Sequence, residues 1–472
     1  MIRINGNTMG SFAQILRYNI KDKLAAFAFI LFFCSDILDA ALFRIVPNVT
    51  DNVWEIIKPI ENILLAIPIF LCTIYGVKNN KFSVWKYYLG IFVLFAVTWI
   101  IFPEYDIWFL HEDFGIENRF LVLTRGVYAL LIISLFCDAQ KIFNCLIIAS
   151  KLNFIFYFLQ YYAASVRGYW VGIAANGDTV ELGYQLLFGY NMAFCLVVFL
   201  AAYIYTKKKS YLLYLPVGSY TMLMAGSRGA LLCIAFFLPI YMLVYWREFR
   251  KYATKTIIIG ILLSTVLIVT ALMWDNIALL LSVYLNSVGA QSRTIEMFVN
   301  GEMTEANGRD IIYDTAVELI KEGGLFGHGV YGDRYEIGKR FYWGYAHNFF
   351  LEVFVCFGYL GGSIFIGWLI YNVGKMIARC KDACWKALLV IFLSSCVKLV
   401  FSDSFWYYKP FWALIGIFVI WKYLYITKLK NKRVENNGSK KTSFKKYRYY
   451  FNWKYHYKNI KFFFTTVLYY IS

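Results

Sequence analysis

Long apolar runs dominate the sequence, and they restrict it to folds that a lipid bilayer can hold. A helix needs about 20 apolar residues to cross the hydrocarbon core. Runs of this kind lie near 24–43, 57–76, 84–102, 120–136, 142–162, 181–205, 210–226, 229–246, 256–274, 347–371, 385–402 and 411–426. We therefore predict an all-α polytopic membrane protein with about twelve transmembrane helices. The composition agrees, because 60% of the residues are hydrophobic and only 16% are charged.

The charges between these runs alternate in sign from one connection to the next, which predicts the topology. Four connections on one side are basic: Lys78, Lys81 and Lys86; Lys207 to Lys209; Arg247, Arg250, Lys251 and Lys255; and Lys375, Arg379, Lys381 and Lys386. Both termini fall on the same side as these connections. The positive-inside rule therefore predicts that both termini are cytoplasmic.

The net charge of +18 comes mostly from the segment 427–472, in which Glu435 is the only acidic residue. Basic clusters next to a membrane helix bind anionic lipid headgroups. We interpret this segment as a cytoplasmic tail that contacts membrane lipids, and we expect no nucleic acid as a partner.

On the opposite side, the connections 103–119 and 275–346 are acid-rich. The second is far longer than neighbouring helices need, so we expect an extracytoplasmic loop with short helices and a function. We predict that the chain begins with a transmembrane bundle over 1–274, which has about nine helices if each span needs about 20 residues. The loop 275–346, the C-terminal membrane helices 347–426 and the tail 427–472 follow.

The strongest candidate site lies where this loop meets the next membrane helix. Arg309 heads an amphipathic segment in which Ile312, Ala316, Leu319 and Ile320 share one face, and Gly323-Gly324 ends it. His347 and Asn348 open the membrane helix. The positive end of the helix dipole disfavours imidazolium, so His347 is a candidate general base.

A second candidate site is Gly226-Ser227-Arg228-Gly229, between two apolar runs. Ser227 can cap the following helix. The free backbone amides at the start of that helix, together with the Arg228 guanidinium, would bind a phosphate. The alternative is a turn with a snorkelling arginine. We favour the anion site, because an arginine this close to hydrocarbon is costly without a partner and the positive-inside rule does not explain it.

These motifs carry a family resemblance. GSRGALL, the GR at 308–309, GLFGHGVY and AHNFFLEVFVCFGYLGG together resemble the O-antigen ligase and Wzy-type polysaccharide polymerase family over roughly 220–370. The resemblance implies a metal-independent glycosyltransferase of the GT-C type in the bacterial plasma membrane, without a cofactor. Its substrate would be an oligosaccharide linked to undecaprenyl diphosphate. Arg228 and Arg309 match the family's diphosphate-binding arginines, and His347 matches the histidine of its HN motif.

Further polar residues of the predicted loop and its flanks could contact the substrate or solvent. We include Ser227, Asn348 and Arg293 among the candidate substrate-binding residues. Arg334, Lys339 and Arg340 could guide an anionic lipid, but we favour a solvated surface for them. Asp310, Asp314 and Glu318 share one face of the loop helix, where solvated carboxylates are more common than a metal site.

Two rival functions are weighed against the glycosyltransferase. A lipid-linked sugar flippase would be expected to place charges within the spans, where this sequence has only Asp36, Asp39 and Lys398 as exceptions. A metal-dependent GT-C transferase would use an acidic pair such as Asp51 and Glu55, which lack a distinctive motif.

The motifs do not separate a polymerase from a ligase that transfers glycan to a lipid A-core acceptor. We favour the polymerase because, by resemblance, polymerases form the larger and more divergent part of the family. A chain-length regulator protein would then be a further candidate partner.

Overall fold

The computed structural model describes residues 18–45, 53–76, 85–111, 120–173, 179–183, 185–225, 228–250, 309–340 and 345–438, with a few isolated positions between these ranges. Most of this chain is helical. The helices are α1 (Ile20–Phe33), α2 (Ser35–Ile45), α3 (Trp54–Gly76), α4 (Trp85–Ile101), α5 (Asp106–Phe109), α6 (Ala129–Ser134), α7 (Ala139–Arg167), α8 (Leu186–Thr206), α9 (Tyr214–Ala225), α10 (Arg228–Ala235), α11 (Phe237–Val244), α12 (Trp246–Arg250), α13 (Arg309–Gly323), α14 (Gly332–Gly338), α15 (Phe349–Arg379), α16 (Ala383–Cys396), α17 (Lys398–Phe401) and α18 (Lys409–Gly438).

One antiparallel hairpin departs from the predicted all-α fold. Strands β1 (Trp170–Ile173) and β2 (Thr179–Leu182) pair with Trp170 opposite Leu182. The hairpin follows α7, which ends at Gly168 in the left-handed conformation. It connects α7 to α8 and leaves the helical membrane architecture intact.

Five described helices are long and apolar enough to cross a membrane, and two bent pairs raise the number to seven. The five are Ala139–Arg167, Leu187–Thr206, Phe349–Arg379, Ala383–Phe401 and Lys409–Thr427. This confirms a multi-pass helical membrane protein. The count of about twelve stays a prediction, and the predicted run 256–274 lies outside the described residues.

Several predicted runs are not single straight helices; 229–246, for example, is divided among α10, α11 and α12. The first, 24–43, is broken at Cys34, where α1 and α2 meet at 76°. The run 84–102 ends at Phe102, and the next helical piece turns by 110°. Within 121–136, the α-helical part is Ala129–Ser134. In the first part of this run, a backbone amide bonds to a polar side chain of α3: Asn62 Oδ1 accepts a hydrogen bond from the Leu123 amide at 2.7 Å.

Contacts between helix ends define two ends of the bundle. At the end that we call the lysine-rich end, the starts of α1, α7 and α16 meet the end of α8 and the segment 245–248. These contacts are Lys141–Asp22 at 2.5 Å, Tyr205–Gln140 at 2.7 Å, Tyr245–Ala383 at 3.1 Å and Lys386–Glu248 at 2.5 Å. The basic connection 207–209 follows α8 there.

At the opposite end, which we call the site end, α1 breaks, α16 finishes and α18 begins. The Asn153 amide of α7 donates to the Phe33 carbonyl at 2.8 Å, and Lys409 at the start of α18 reaches the Phe32 carbonyl at 3.0 Å. The candidate residues of α13 and α15 meet the bundle at this end.

The segment 309–340 is folded, as the sequence predicts for part of the long loop. Helix α13 packs its apolar face on α15. The buried cluster consists of Ile312, Ala316, Leu319, Ile320, Ile337, Ala346 and Val355. The amphipathic pattern of α13 and its end at Gly323-Gly324 are confirmed, with Gly324 at φ +53°.

A turn of the same segment enters a break in α15. Gly358 inside that helix has φ 64° and ψ −173°, which interrupts the helical hydrogen bonds. The turn bridges the break with four backbone bonds: His328 and Gly329 donate to Val355 and Cys356, and Tyr359 and Leu360 donate to Gly324 and Leu325, at 2.8–3.0 Å. The segment 309–340 is therefore joined to a membrane helix by main-chain bonds as well as by apolar packing.

Candidate active site

Arg309 begins α13 and extends to the site end of the bundle. Its Nη1 donates a hydrogen bond of 2.5 Å to the carbonyl oxygen of Phe401, the last residue of α17. A guanidinium has five N–H groups, so one bond orients the side chain and leaves capacity for an anionic ligand. The side chain is partly exposed, as an anion-binding arginine must be.

His347 lies directly before α15, in the left-handed region with φ 51°. Its ring centroid lies 3.8 Å from that of Tyr345. Its buried Nδ1 has no hydrogen-bond partner among the described residues. A polar ring held in a rarely populated backbone conformation, with an unsatisfied nitrogen, is typical of a functional residue.

The pKa of His347 is lowered to about 4, first by burial and then by the positive charge of Arg309, while Asp403 opposes the shift. The ring is therefore neutral at physiological pH, as the helix-dipole argument predicted. The cause is different: removal from water and a neighbouring guanidinium lower the pKa. A neutral imidazole can accept a proton.

Asn348 is the N-cap of α15. Its Oδ1 accepts from the Phe350 and Leu351 amides, and its Nδ2 donates to the Val400 carbonyl at 3.0 Å. Both ends of this amide thus hold the start of α15 against α17. Asn348 fixes the backbone next to His347, and its direct role in binding substrate stays a prediction.

Arg228 is the first residue of α10, and α10 packs against α17. The next residue, Gly229, lies against the Tyr190 hydroxyl so closely that a Cβ there would be 2.0 Å away. The side chain of Arg228 is not described, and Ser227 and Arg293 lie outside the described residues. Both arginine motifs therefore lie beside the short helix α17: α10 packs against it, and Arg309 donates a hydrogen bond to its last residue.

The segment that follows α17 carries polar residues that the motif analysis missed. Lys398 donates to Asp403 at 2.6 Å, and Asp403 has φ 71° in the left-handed region. Asp403 is one of the charges that act on His347. The available signal was the polar Ser402-Asp403-Ser404 between the apolar runs 385–402 and 411–426.

The expectation that Arg334 lies on a solvated surface is wrong. Its side chain is only 3% exposed, and it donates to both oxygens of Asp333 at 2.8 and 3.0 Å. It also donates to Glu352 at 3.1 Å, to Ser404 at 2.7 Å and to Tyr407 at 3.2 Å. A buried arginine needs such partners, because an unpaired charge away from water is very costly.

The other surface expectations for the segment 309–340 are confirmed. Lys339 and Arg340 are about half exposed, and they pair with Glu336 and Glu318. Asp310, Asp314 and Glu318 lie on the exposed side of α13. His328 belongs to a turn, and its Nε2 lies 2.8 Å from the Leu319 carbonyl.

Comparison with known proteins places these residues in a family. A family model described as O-antigen ligase matches residues 213–366, a range that contains Arg228, Arg309 and His347. No match was found among curated proteins or among solved structures. About a third of the chain is covered by the match. Residues 213–366 are therefore a domain of the O-antigen ligase family, as the motifs in this part of the sequence predict.

Proposed function

We propose that the protein is a polysaccharide polymerase of the bacterial plasma membrane, which joins undecaprenyl-diphosphate-linked oligosaccharide repeat units on the outer face. The observation that carries this proposal is the convergence of both arginine motifs and His347 on α17. Helix α10, headed by Arg228, packs on α17; Arg309 bonds to its last residue; and Asn348 ties His347 to it.

The two arginines would bind the diphosphate of the donor. Guanidinium groups form paired, charge-assisted hydrogen bonds with phosphate oxygens. Two positive charges held in place beside the leaving group would stabilise the charge that develops on it in the transition state. In this proposal, the two arginines stabilise the leaving diphosphate without a metal ion.

His347 would take the proton of the acceptor hydroxyl. That oxygen forms a bond to the anomeric carbon, the bond from this carbon to the diphosphate breaks, and the proton moves to the imidazole and then to water. Binding of the diphosphate offsets the charge of Arg309, one of the causes that lower the pKa of His347. The donor would thus make the ring a better base when it is needed.

The arrangement of the bundle supports the outer face as the place of reaction. The basic connections 207–209 and 381–386 adjoin contacts at the lysine-rich end, whereas His347 and Arg309 lie at the site end. The positive-inside rule places the lysine-rich end in the cytoplasm. We also propose that the transmembrane bundle is GT-C-like and has about twelve helices, the number of apolar runs that are long enough to span a membrane.

A ligase is the second candidate, because the matching family model is described by that activity. Deletion of the gene in its native cell, followed by glycan sizing, separates the two. For a polymerase, we expect one repeat unit still attached to the surface carrier and the loss of all longer chains. Long chains left on undecaprenyl diphosphate, with no sugar on the carrier, would instead establish the ligase.

A further inference from the structure

A second polar group lies at the site end, at the break between α1 and α2. The carboxylate of Asp36 is exposed, and its Oδ2 accepts hydrogen bonds from the Tyr157 hydroxyl at 2.7 Å and from the Asn191 amide at 3.0 Å. These donors come from α7 and α8. A charged residue within membrane helices is costly and commonly marks a functional site.

A lysine lies next to this carboxylate. Lys409 at the start of α18 donates to the Phe32 carbonyl at 3.0 Å and to the Ser35 hydroxyl at 2.5 Å. The break at Cys34 leaves carbonyls at the end of α1 without helical partners, and Lys409 satisfies one of them. The ammonium is therefore fixed beside the residue that precedes Asp36.

Behind Asp36, a closed pair of carboxyl groups differs from it. Glu61 is 1% exposed, and Asp39 lies within hydrogen-bonding distance of it. Asp39 Oδ1 and Glu61 Oε1 are buried and are satisfied by no other group in the described chain. Arg125 and Lys409 are the basic residues whose charges act on these carboxyl groups.

Residues next to this polar group in the sequence contact the candidate active site. Asn191 follows Tyr190, whose ring centroid lies 4.7 Å from the Lys398 ammonium. Lys398 pairs with Asp403, which acts on His347. Lys409 lies on the same segment, six residues after Asp403. The residues from Asp36 to His347 thus line adjoining parts of the site end.

We propose that Asp36, held by Tyr157 and Asn191 and flanked by Lys409, binds hydroxyl groups of the acceptor saccharide. This inference rests on the proposed glycosyl transfer. A sugar presents many hydroxyl groups, and a carboxylate accepts strong, charge-assisted hydrogen bonds from them. A purely structural carboxylate would be closed off like Glu61, whereas Asp36 is oriented by three donors, Tyr157, Asn191 and its neighbour Ser35, and is still exposed.

The test uses a probe that can occupy an acceptor subsite but cannot be a donor. We would titrate the free oligosaccharide repeat unit, released from its lipid diphosphate, into the full-length protein in lipid nanodiscs. Asp36→Asn keeps the shape and removes the charge. We expect about tenfold weaker binding, the scale of one hydrogen bond to a charged group. Asp314→Asn on exposed α13 is the matched control, with binding unchanged.

A second pair of variants separates this subsite from the donor site. Arg309→Lys should leave binding of the free oligosaccharide unchanged and weaken binding of the lipid-linked unit. Tyr157→Phe and Asn191→Ala each remove one donor to Asp36 and should weaken oligosaccharide binding about threefold, a fraction of one hydrogen bond. These two variants decide the question if Asp36→Asn does not fold.

Each outcome has a defined meaning. Equal oligosaccharide binding by the wild type and Asp36→Asn, or no binding by the wild type, would overturn the subsite. The proposed function is judged separately, by whether the wild type transfers glycan from the lipid-linked donor in the same nanodiscs. Transfer without an effect at Asp36 would refute only the subsite.

Discussion

Arg334 Nη2 lies 3.1 Å from Glu352 Oε1, and this buried ion pair joins α14 to the first turn of α15. Ser404 bonds to both partners, so the pair also holds the segment after α17. We expect Arg334→Ala to destabilise the protein by about 3–5 kcal/mol, because it leaves buried carboxylates without their cation. Thermal unfolding of the purified protein in detergent measures the change.

The matched control is Arg340→Ala, which removes an exposed ion pair with Glu318. A pair of this kind contributes about 0–1 kcal/mol. Equal stability of the two alanine variants would show that the buried network does not hold these segments together.

Gly358 and Gly367 offer a second matched comparison within α15. A Cβ at Gly358 would lie 2.4 Å from the Gly327 amide nitrogen, and φ of +64° is strained for alanine, whereas a Cβ at Gly367 would meet nothing within 4 Å. We expect Gly358→Ala to cost at least about 2 kcal/mol through strain and lost main-chain bonds. Gly367→Ala should be neutral or slightly stabilising in the same unfolding assay. A Gly358→Ala protein as stable as the wild type would contradict the role given to the backbone hydrogen bonds between residues 324–329 and α15.

Arg309→Ala should abolish glycan production while the amount of folded protein in the membrane stays near normal. The reason is the loss of the proposed charge-assisted contact to the diphosphate, and Arg309→Lys should rescue poorly because an ammonium lacks the paired donors. Glycan sizing of complemented deletion cells, with immunoblotting of membranes, measures both quantities. Lys321→Ala on the same helix is the control. Full glycan production by Arg309→Ala would remove this residue from the mechanism.

The pKa of His347, lowered to about 4, gives an expectation for pH dependence. A base must be unprotonated, so kcat/KM for the donor should stay level from pH 8 to about 5 and fall only below that. An ordinary histidine would lose half its effect near pH 6.5. In the proposed mechanism, the bound diphosphate adds negative charge and thereby raises the pKa of His347, so kcat should begin to fall at a higher pH than kcat/KM. A fall of kcat/KM centred near pH 6.5 would contradict the buried, neutral ring.

The sequence predicted the features that depend on local pattern. The apolar face of α13, its glycine end and the position of His347 at a helix start follow from residue spacing. The same reasoning misplaced Arg334. A polar segment such as Gly332–Gly338 contains no pattern that shows which of its charges are buried. Burial is decided by contacts with Glu352 of α15 and with Ser404 after α17, both of which lie outside this segment.

The breaks in the membrane helices were missed for a similar reason. Hydropathy over 24–43 and 84–102 is continuous, and a hydropathy window detects composition but not direction. At the 76° bend near Cys34, Lys409 donates a hydrogen bond to the Phe32 carbonyl from a helix hundreds of residues later, a contact that no local window contains. Asp36 and Asp39, exceptions among apolar residues, were the available sign that this region is more than a simple span.

The most direct measurement is glycan transfer by the purified protein in nanodiscs, with the undecaprenyl-diphosphate-linked repeat unit of the native cell as substrate. Our account expects a ladder of longer lipid-linked glycans and release of undecaprenyl diphosphate, both lost in Arg309→Ala and unaffected in Lys321→Ala. Transfer only to added lipid A-core, with the repeat unit never lengthened, would contradict the polymerase, and a ladder that persists in Arg309→Ala would contradict the site.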